Sequence, residues 1–495
     1  MNVLQDRWIP VRTQENQHIR VTLPDFYAHA HEYKAIETEN LFDEFSLARF
    51  LALFAHCAYE PKDESAIQQM AETGHFPMEP IHRYIDFCKS EGVTFELFDK
   101  KRPFLQAIPD DSLDTEKVLS PISKMDYIYA YGNTPIHRSP HFQEDYAFHV
   151  EDCPIKLLSQ YVYSRHKAGG YETTPAGTPT FFLPNADNLF QTILFSMPPV
   201  NKDREGTKEF WRSPQAGPEE IVPRRIVPIP SLRYGMIFPC RRIVFLPPEE
   251  DGLVHRCYYQ PGISAKTLAD KQILWKDDFV AINCGEKEEK LFNLAYNSDN
   301  LTILNRFFSN QIQLPPCISR YAAYLKRKGI QHIPAIAYVT ATNQADYLGI
   351  QKIALQLRPA IYQDENAFLF LQYIVSFVGD SFKMLNESML TVLPYNWRIK
   401  SYLLQYREEM VGLFIKQADS FEEQSLGLDE LMHRLPALYE TIQKRSIETF
   451  DRAMRELNAS LFNLQPIERE RKKLRSKLES FRKKRLQKEG LETST

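Results

Sequence analysis

Pro436-Ala437-Leu438-Tyr439-Glu440-Thr441-Ile442 opens a run whose apolar residues return at Leu438, Ile442, Ile447, Phe450, Met454, Leu457 and Leu461. The spacing is close to the helical period, and proline is favoured in a first turn, so the run predicts a helix from Pro436 to about Phe462. The same grammar extends to either side. Glu365 to Leu390 is one long helical pattern, and Lys400 to Ala418 is a second, through Leu403, Leu404, Met410, Leu413 and Phe414. A further helix follows Pro466, with Ile467, Leu474, Leu478 and Phe481 on one face and Lys and Arg on the other. Four long helices with short connections predict an antiparallel four-helix bundle over residues 364–495.

Residues 1–363 read differently, as short strands, buried helices and proline-rich passages. Met1 to Leu23 reads as a strand pair, Phe42 to Tyr59 as a buried helix and Asp152 to Ser164 as a helix. Thr180 to Leu183, Gly235 to Phe238, Arg242 to Phe245, Gln272 to Cys284 and Ala335 to Thr340 are strand candidates. Asn188 to Met197 fits either a helix or a strand. The expected fold class is α+β: a mixed α/β N-terminal domain followed by the bundle.

Composition narrows the function. The 495 residues carry a net charge of −4, but Glu468 to Glu489 alone holds eleven Lys or Arg against four Glu. That segment carries +7, so the remainder carries −11. The basic run is either a solvated helix face or a docking surface for phosphate or protein. The seven cysteines are scattered without a C-x-x-C pair, which argues against a disulfide framework or a cysteine zinc site. Met1 to Pro10 lacks the pattern of a signal peptide, and the longest greasy stretch, Phe368 to Val378, is too short to span a bilayer. A soluble, cytoplasmic protein with no membrane association is expected.

Enzyme motifs are missing: no Walker loop, G-x-G-x-x-G, H-E-x-x-H or G-x-S-x-G occurs. The close pairs His29/His31 and His137/His141 lack the further ligands that a metal site needs. No cofactor, metal or catalytic residue is expected. Three loops carry the binding candidates. His166 to Thr178 contains Gly169 and Gly170, which let backbone approach a ligand closely, with Arg165 and Lys167 beside them. Ala341 to Asp346 is a polar hairpin tip in which Asn343 and Gln344 offer paired donors and acceptors, with Ala345 next. Pro261 to Lys266 is a glycine turn ending in a cation. On the residues alone, features of this kind are more often a plain turn or a solvated charge.

With these residues in view, the chain resembles the large subunit of the type I-E CRISPR Cascade surveillance complex, the CasA family. Met1-Asn2-Val3-Leu4-Gln5-Asp6-Arg7-Trp8-Ile9-Pro10-Val11 is similar to that family's opening M-N-L-L-x-D-x-W-I-P-V, and Arg102-Pro103-Phe104-Leu105-Gln106 to its H/R-P-F-x-Q. Gly132-Asn133-Thr134, Gly169-Gly170-Tyr171 with Thr178-Pro179, Phe238 to Ile243, Asn343-Gln344-Ala345 and the terminal bundle match in order. His166 to Gly177 has fewer glycines than the loop in many members, and the clustered cysteines of some members are absent.

The resemblance implies a non-catalytic subunit that reads a short PAM in double-stranded target DNA and begins strand separation for guide-RNA pairing. It also implies docking of a separate helicase–nuclease. Gln344, with Asn343 and Ala345, would be the wedge beneath the PAM. Gly169 and Gly170 would press backbone against the duplex. Lys266, matched by its place nine residues before Trp275, would reach the minor groove. Asn133 and Thr134 would lie near the guide-RNA handle and a neighbouring Cascade subunit. The minor groove offers a degenerate code, so such contacts tolerate several PAMs. Two other readings stay open on the residues alone: an uncatalogued nuclease or hydrolase, and an unrelated helical scaffold.

Overall fold

A computed structural model describes residues 1–107, 119–127, 146–163, 180–200, 208–212, 226–228, 232–262, 264–266, 277–284, 290–296, 298, 303, 306–307, 312–330, 332–343, 346–357, 365–393, 398–423, 427–457 and 464–491. The chain divides into two compact units. One comprises Met1–Tyr296 and Gln313–Leu357, the other Asn297–Ile312 and Arg358–Thr495. The boundary drawn from sequence at 363/364 lies close to the division after Leu357, but 297–312 groups with the second unit. The α+β class is as expected, mixed helix and sheet followed by a helical C-terminal region.

In the first unit the opening motif is a packing device. Trp8 is fully buried and its indole N–H donates to the Val3 carbonyl at 2.9 Å. Ile9–Thr13 pairs antiparallel with His18–Val21, as the sequence suggested, and on its other edge with Tyr33–Ile36. The R-P-F-L-Q motif is structural as well. The Gln106 side chain donates to the Leu97 carbonyl at 2.5 Å and accepts from the Phe245 N–H at 2.7 Å, tying a loop to the strand Arg241–Phe245.

The central element is the helix Leu41–Tyr59, capped by Asn40, whose side chain accepts from the Asp43 N–H at 2.9 Å. Its apolar residues lie on every side, and a helix of that kind is stable only when surrounded by protein. Even Arg49 is buried on it. Arg49 forms a two-point pair with Asp277 at 3.0 and 2.5 Å and donates to the Met236 carbonyl at 2.6 Å. The next residue, Asp278, pairs with Arg320 of the helix Pro316–Arg327, which also donates to the Phe195 carbonyl at 3.1 Å. Two adjacent acids thus anchor two helices through buried arginines. A third buried cation, Lys156, lies 2.8 Å from Asp43 and 3.0 Å from Asp126. Burial works against its charge, but the two carboxylates outweigh that and raise its pKa above the ordinary lysine value.

One local expectation needs correction and one is resolved. Gly235 to Phe238 is not a strand: Leu232–Met236 is a short helix, because a brief apolar run has no period to separate the two. Asn188 to Met197, left open, is the helix Leu189–Ser196, whose cap Asn188 accepts from Gln191 N–H.

The second unit contains four long helices, Glu365–Val392, Ile399–Glu423, Leu435–Glu456 and Leu464–Lys488, with a short helix, Leu428–Met432, after the second. The third helix ends before the predicted Phe462, and its buried face is rotated from the predicted stripe. Leu435, Tyr439, Ile442, Ser446, Phe450 and Ala453 are buried, whereas Leu438 and Ile447 are only half-buried. Partners decide this: Tyr439 stacks on Phe377 with ring centroids 4.0 Å apart, and Ser446 bonds the Tyr406 hydroxyl at 2.9 Å. The first helix is more apolar over its whole length than its greasiest stretch suggests. From Asn366 to Val392 it is long and apolar enough, by length and composition, to cross a membrane, although Phe368 to Val378 by itself is not. Its contacts are those of a bundle's core helix: Phe377 packs on Tyr439 and Phe481, Ser388 donates to Glu470 at 3.2 Å, and Asp380 pairs with Arg485 at 3.1 Å.

Candidate functional site

The longest strands among the described residues, Ile333–Asn343 and Asp346–Leu357, form one antiparallel hairpin. Pairing continues up to Asn343 opposite Asp346, so Gln344 and Ala345 connect the strands. A third strand, Phe181–Pro184, pairs along the hairpin with Ala335–Tyr338. From Val339 to Asn343 the described residues add no third strand, and at ~3.4 Å per residue that length is about 17 Å. Ala341 faces Gly349 and Thr342 faces Tyr347, which leaves Leu348 as an extra residue, a bulge that sharpens the local twist. A Cβ at Gly349 beside it would lie 2.9 Å from the Tyr296 hydroxyl, the end of an exposed side chain that would have to move aside.

Tyr347 anchors the hairpin in a cluster of four buried rings. Phe42, at the start of the central helix, lies 4.7 Å from Tyr127, 4.9 Å from Tyr163 and 5.2 Å from Tyr347, between ring centroids. Tyr127 and Tyr163 lie 5.4 and 5.9 Å from Tyr347. The Tyr347 hydroxyl also donates to the Tyr163 carbonyl. Burial pushes the pKa of both hydroxyls far above the ordinary tyrosine value, so both keep their protons.

Most ring-bearing positions adjoin a candidate loop. Tyr127 precedes residues 128–145, which contain Asn133 and Thr134, and Tyr146 on the far side donates to Asp126 at 2.6 Å. Tyr163 precedes residues 164–179, which contain Gly169 and Gly170. On the other side of that segment, Phe181 pairs with Tyr338 of the hairpin. Tyr347 stands just past Gln344 and Ala345. The ends of these three segments therefore meet at one place, with Asp126 held to Lys156, whose other partner is Asp43. Asn133, Thr134, Gly169, Gly170, Gln344 and Ala345 themselves lie outside the described residues, as does the Asn343 side chain.

The fourth candidate, Lys266, is rooted close by. Gly262 packs so tightly that a Cβ would lie 2.4 Å from the Pro239 carbonyl oxygen, and its N–H donates to Cys240 at 3.0 Å. The Cys240 thiol in turn faces the Gln160 carbonyl at 3.6 Å, near the end of the helix Cys153–Val162 that leads to Tyr163. Beyond Gly262 the chain is not a free turn: Ser264–Lys266 pairs in parallel with Ile226–Pro228, setting Lys266 opposite Pro228. A three-residue strand carries no pattern that sequence reading could catch. The Lys266 side chain lies outside the described residues.

Sequence reading does not single out these tyrosines. Their signal was present as an aromatic residue flanking each loop, but a buried ring at a strand or helix end is ordinarily core. The basic run also reads differently in three dimensions. Of its cations, Arg471, Lys472, Lys473, Arg475, Lys477, Arg482 and Arg485 pair with acids of the bundle itself. Among the described residues no group of three or more His, Cys, Asp or Glu could hold a metal ion. His29 and His31 sit instead against Glu32 at 3.4 and 3.6 Å.

Comparison with known proteins bears on the fold and the family. CasA/Cse1 of Thermus thermophilus is 27% identical over 271 residues, an alignment that spans 53% of this chain and about half, 52%, of that relative. The crystal structure of CasA (Cse1) from Thermus thermophilus superposes with a TM-score of 0.72 at 19% identity, covering 96% of this chain and 99% of that one. A chain of a structure described as a CRISPR RNA-guided surveillance complex superposes with a TM-score of 0.70 at 13% identity, over 96% and 99% of the two chains. At these identities the structures establish a shared fold. The sequence profile of CRISPR-associated protein Cse1 matches residues 2–371, which include every candidate loop, and the chain belongs to that family, the one its opening residues resemble.

Proposed function

We propose that this chain is the large, non-catalytic subunit of a type I-E Cascade complex. It acts with guide RNA and the other subunits in the cytoplasm. It reads the PAM in double-stranded DNA, starts strand separation and offers the landing site for a helicase–nuclease. The observation that carries the reading is the convergence of three candidate segments on the ring cluster of Phe42, Tyr127, Tyr163 and Tyr347. A wedge needs a stiff mount, because melting the first base pairs costs about a few kcal/mol and a compliant hairpin would bend instead. A bulged hairpin bolted at Tyr347 supplies such a mount. Gln344, with Asn343 and Ala345, would enter at the PAM. Gly169 and Gly170, on a segment sharing that anchor, would bring backbone to the duplex. Lys266 would add a minor-groove contact, and Asn133 and Thr134 would meet the guide-RNA handle. Once started, replacing DNA pairing by guide pairing is nearly balanced and needs no catalytic group.

The test is a binding titration. Guide-loaded complex lacking a large subunit is mixed with this protein and target duplexes with and without candidate PAMs. Strand opening should depend on both protein and PAM. Gln344→Ala should reduce opening far more than PAM-independent binding, and Lys266→Ala should lower the salt slope by about one phosphate equivalent. An equal loss on PAM and non-PAM duplexes for Gln344→Ala would remove the wedge assignment.

A further inference from the structure

Away from the hairpin, the first unit has a cavity of about 440 Å³ beside the helix Met78–Ser90. That size lies in the range of small-ligand sites, roughly 300–1,000 Å³. Its lining is unusual in charge. Arg83, Lys208, Arg212 and Arg233 all line it, against one carboxylate, Glu60.

The other acids that hold these cations stand outside the lining. Glu91 accepts from Arg212 at 2.8 Å and from Lys208 at 3.2 Å. The fully buried Glu209 accepts from Arg212 at 3.3 Å and lies 3.9 Å from Arg233. Glu209 also accepts from the Tyr84 hydroxyl, which the Trp211 indole N–H contacts at 3.0 Å. Glu79 pairs with Arg83. The acids neutralise the cluster as a whole and fix its geometry, while the cavity wall remains mostly cationic.

Phe87 adds a second chemistry. It lines the same cavity, is 44% exposed, and has the Arg212 guanidinium 4.3 Å from its ring centroid. An exposed ring backed by a guanidinium is a stacking platform, and forked guanidinium donors suit phosphate oxygens. We infer that this cavity binds a nucleotide phosphate, with the phosphate among Lys208, Arg233 and Arg83 and the base against Phe87. The inference is independent of the hairpin, since its residues belong to none of the candidate loops.

Isothermal titration of the full chain with AMP, adenosine and inorganic phosphate tests it. AMP should bind saturably at or below about 1 mM, and each fragment about tenfold more weakly. Phe87→Ala should weaken AMP and adenosine about tenfold and leave phosphate unchanged. Arg83→Ala with Lys208→Ala, both substantially exposed, should weaken AMP and phosphate without lowering Tm. A 5′-phosphorylated dinucleotide that binds more tightly than AMP marks a strand end as the natural occupant; equal affinity marks a free nucleotide. The inference is overturned by non-saturable AMP binding, by phosphate binding as tightly as AMP, or by AMP affinity unchanged in all the variants.

Discussion

The two units differ in whether they bury whole ion pairs. In the first, Arg49, Arg320 and Lys156 are buried with their carboxylates, and the Asp277 side chain has no exposed surface. In the second, the described ion pairs each keep at least one partner partly exposed, as with Arg471 and Asp451, each about one-third exposed. Buried pairs cost much desolvation and give little net stability, but losing one partner strands a charge. Exposed pairs cost little and are worth little. The first unit must hold irregular segments in a set geometry, and its buried pairs do so by tying helices to loops. The bundle obtains its geometry from the repeated apolar face of its helices and uses charge mainly at the surface.

The comparison can be broken most directly at Asp278. Asp278→Ala leaves the Arg320 guanidinium buried without its carboxylate and should cost about 3–5 kcal/mol in denaturant unfolding of the first unit. A loss near zero would remove the contrast between the units.

Lys156→Met should cost nearly as much at neutral pH, with a diagnostic pH dependence. It leaves Asp43 and Asp126 facing one another, and burial already raises the Asp43 pKa. As pH falls, Asp43 takes up a proton and the deficit shrinks, so Tm of the variant should approach the parent's on acidification. In the parent the sign is opposite. The Lys156 pKa is raised on folding, so its contribution is complete below the ordinary lysine value of 10.5 and lost as pH climbs through the folded value.

Smaller effects sharpen the picture. Tyr347→Phe removes one buried hydrogen bond and should cost about 1 kcal/mol, with a larger loss in PAM-dependent strand opening than in DNA binding. Arg471→Gln should change stability by about 0–1 kcal/mol, and by less at high salt. Thiol labelling should have almost no energetic effect but should distinguish environments. Cys284 is exposed and should react quickly at pH 8, whereas burial pushes the Cys88 and Cys257 thiols up to about 12 and should keep them silent in the native protein.

The legible parts of the sequence were those with a period or a motif. Four helices after residue 364, the central helix at Phe42 to Tyr59 and the strand at Ala335 to Thr340 all came from spacing, because a repeated face is local information. The opening and R-P-F-L-Q motifs pointed to the family, yet their residues turn out to pack and clamp, as Trp8 and Gln106 do. At the candidate site, the hairpin around Ala341 to Asp346 was readable from the polar stretch between two apolar runs, whereas Lys266, read as the end of a turn, lies in a strand. The parallel pairing at Lys266 was not readable, since a two-strand ladder joins segments far apart in the chain.

The sequence by itself determined the α+β order, the helical C-terminal region and the family, because each follows from residue order alone. Only the tertiary structure decided which side chains meet. It turned the Tyr439 and Ser446 face of the third helix toward Phe377 and Tyr406, paired most of the basic run with the bundle's own acids, and seated Tyr127, Tyr163 and Tyr347 on Phe42. The reason is physical. Helical period is set within a few residues, whereas burial and charge pairing depend on which distant segment fills the adjacent space.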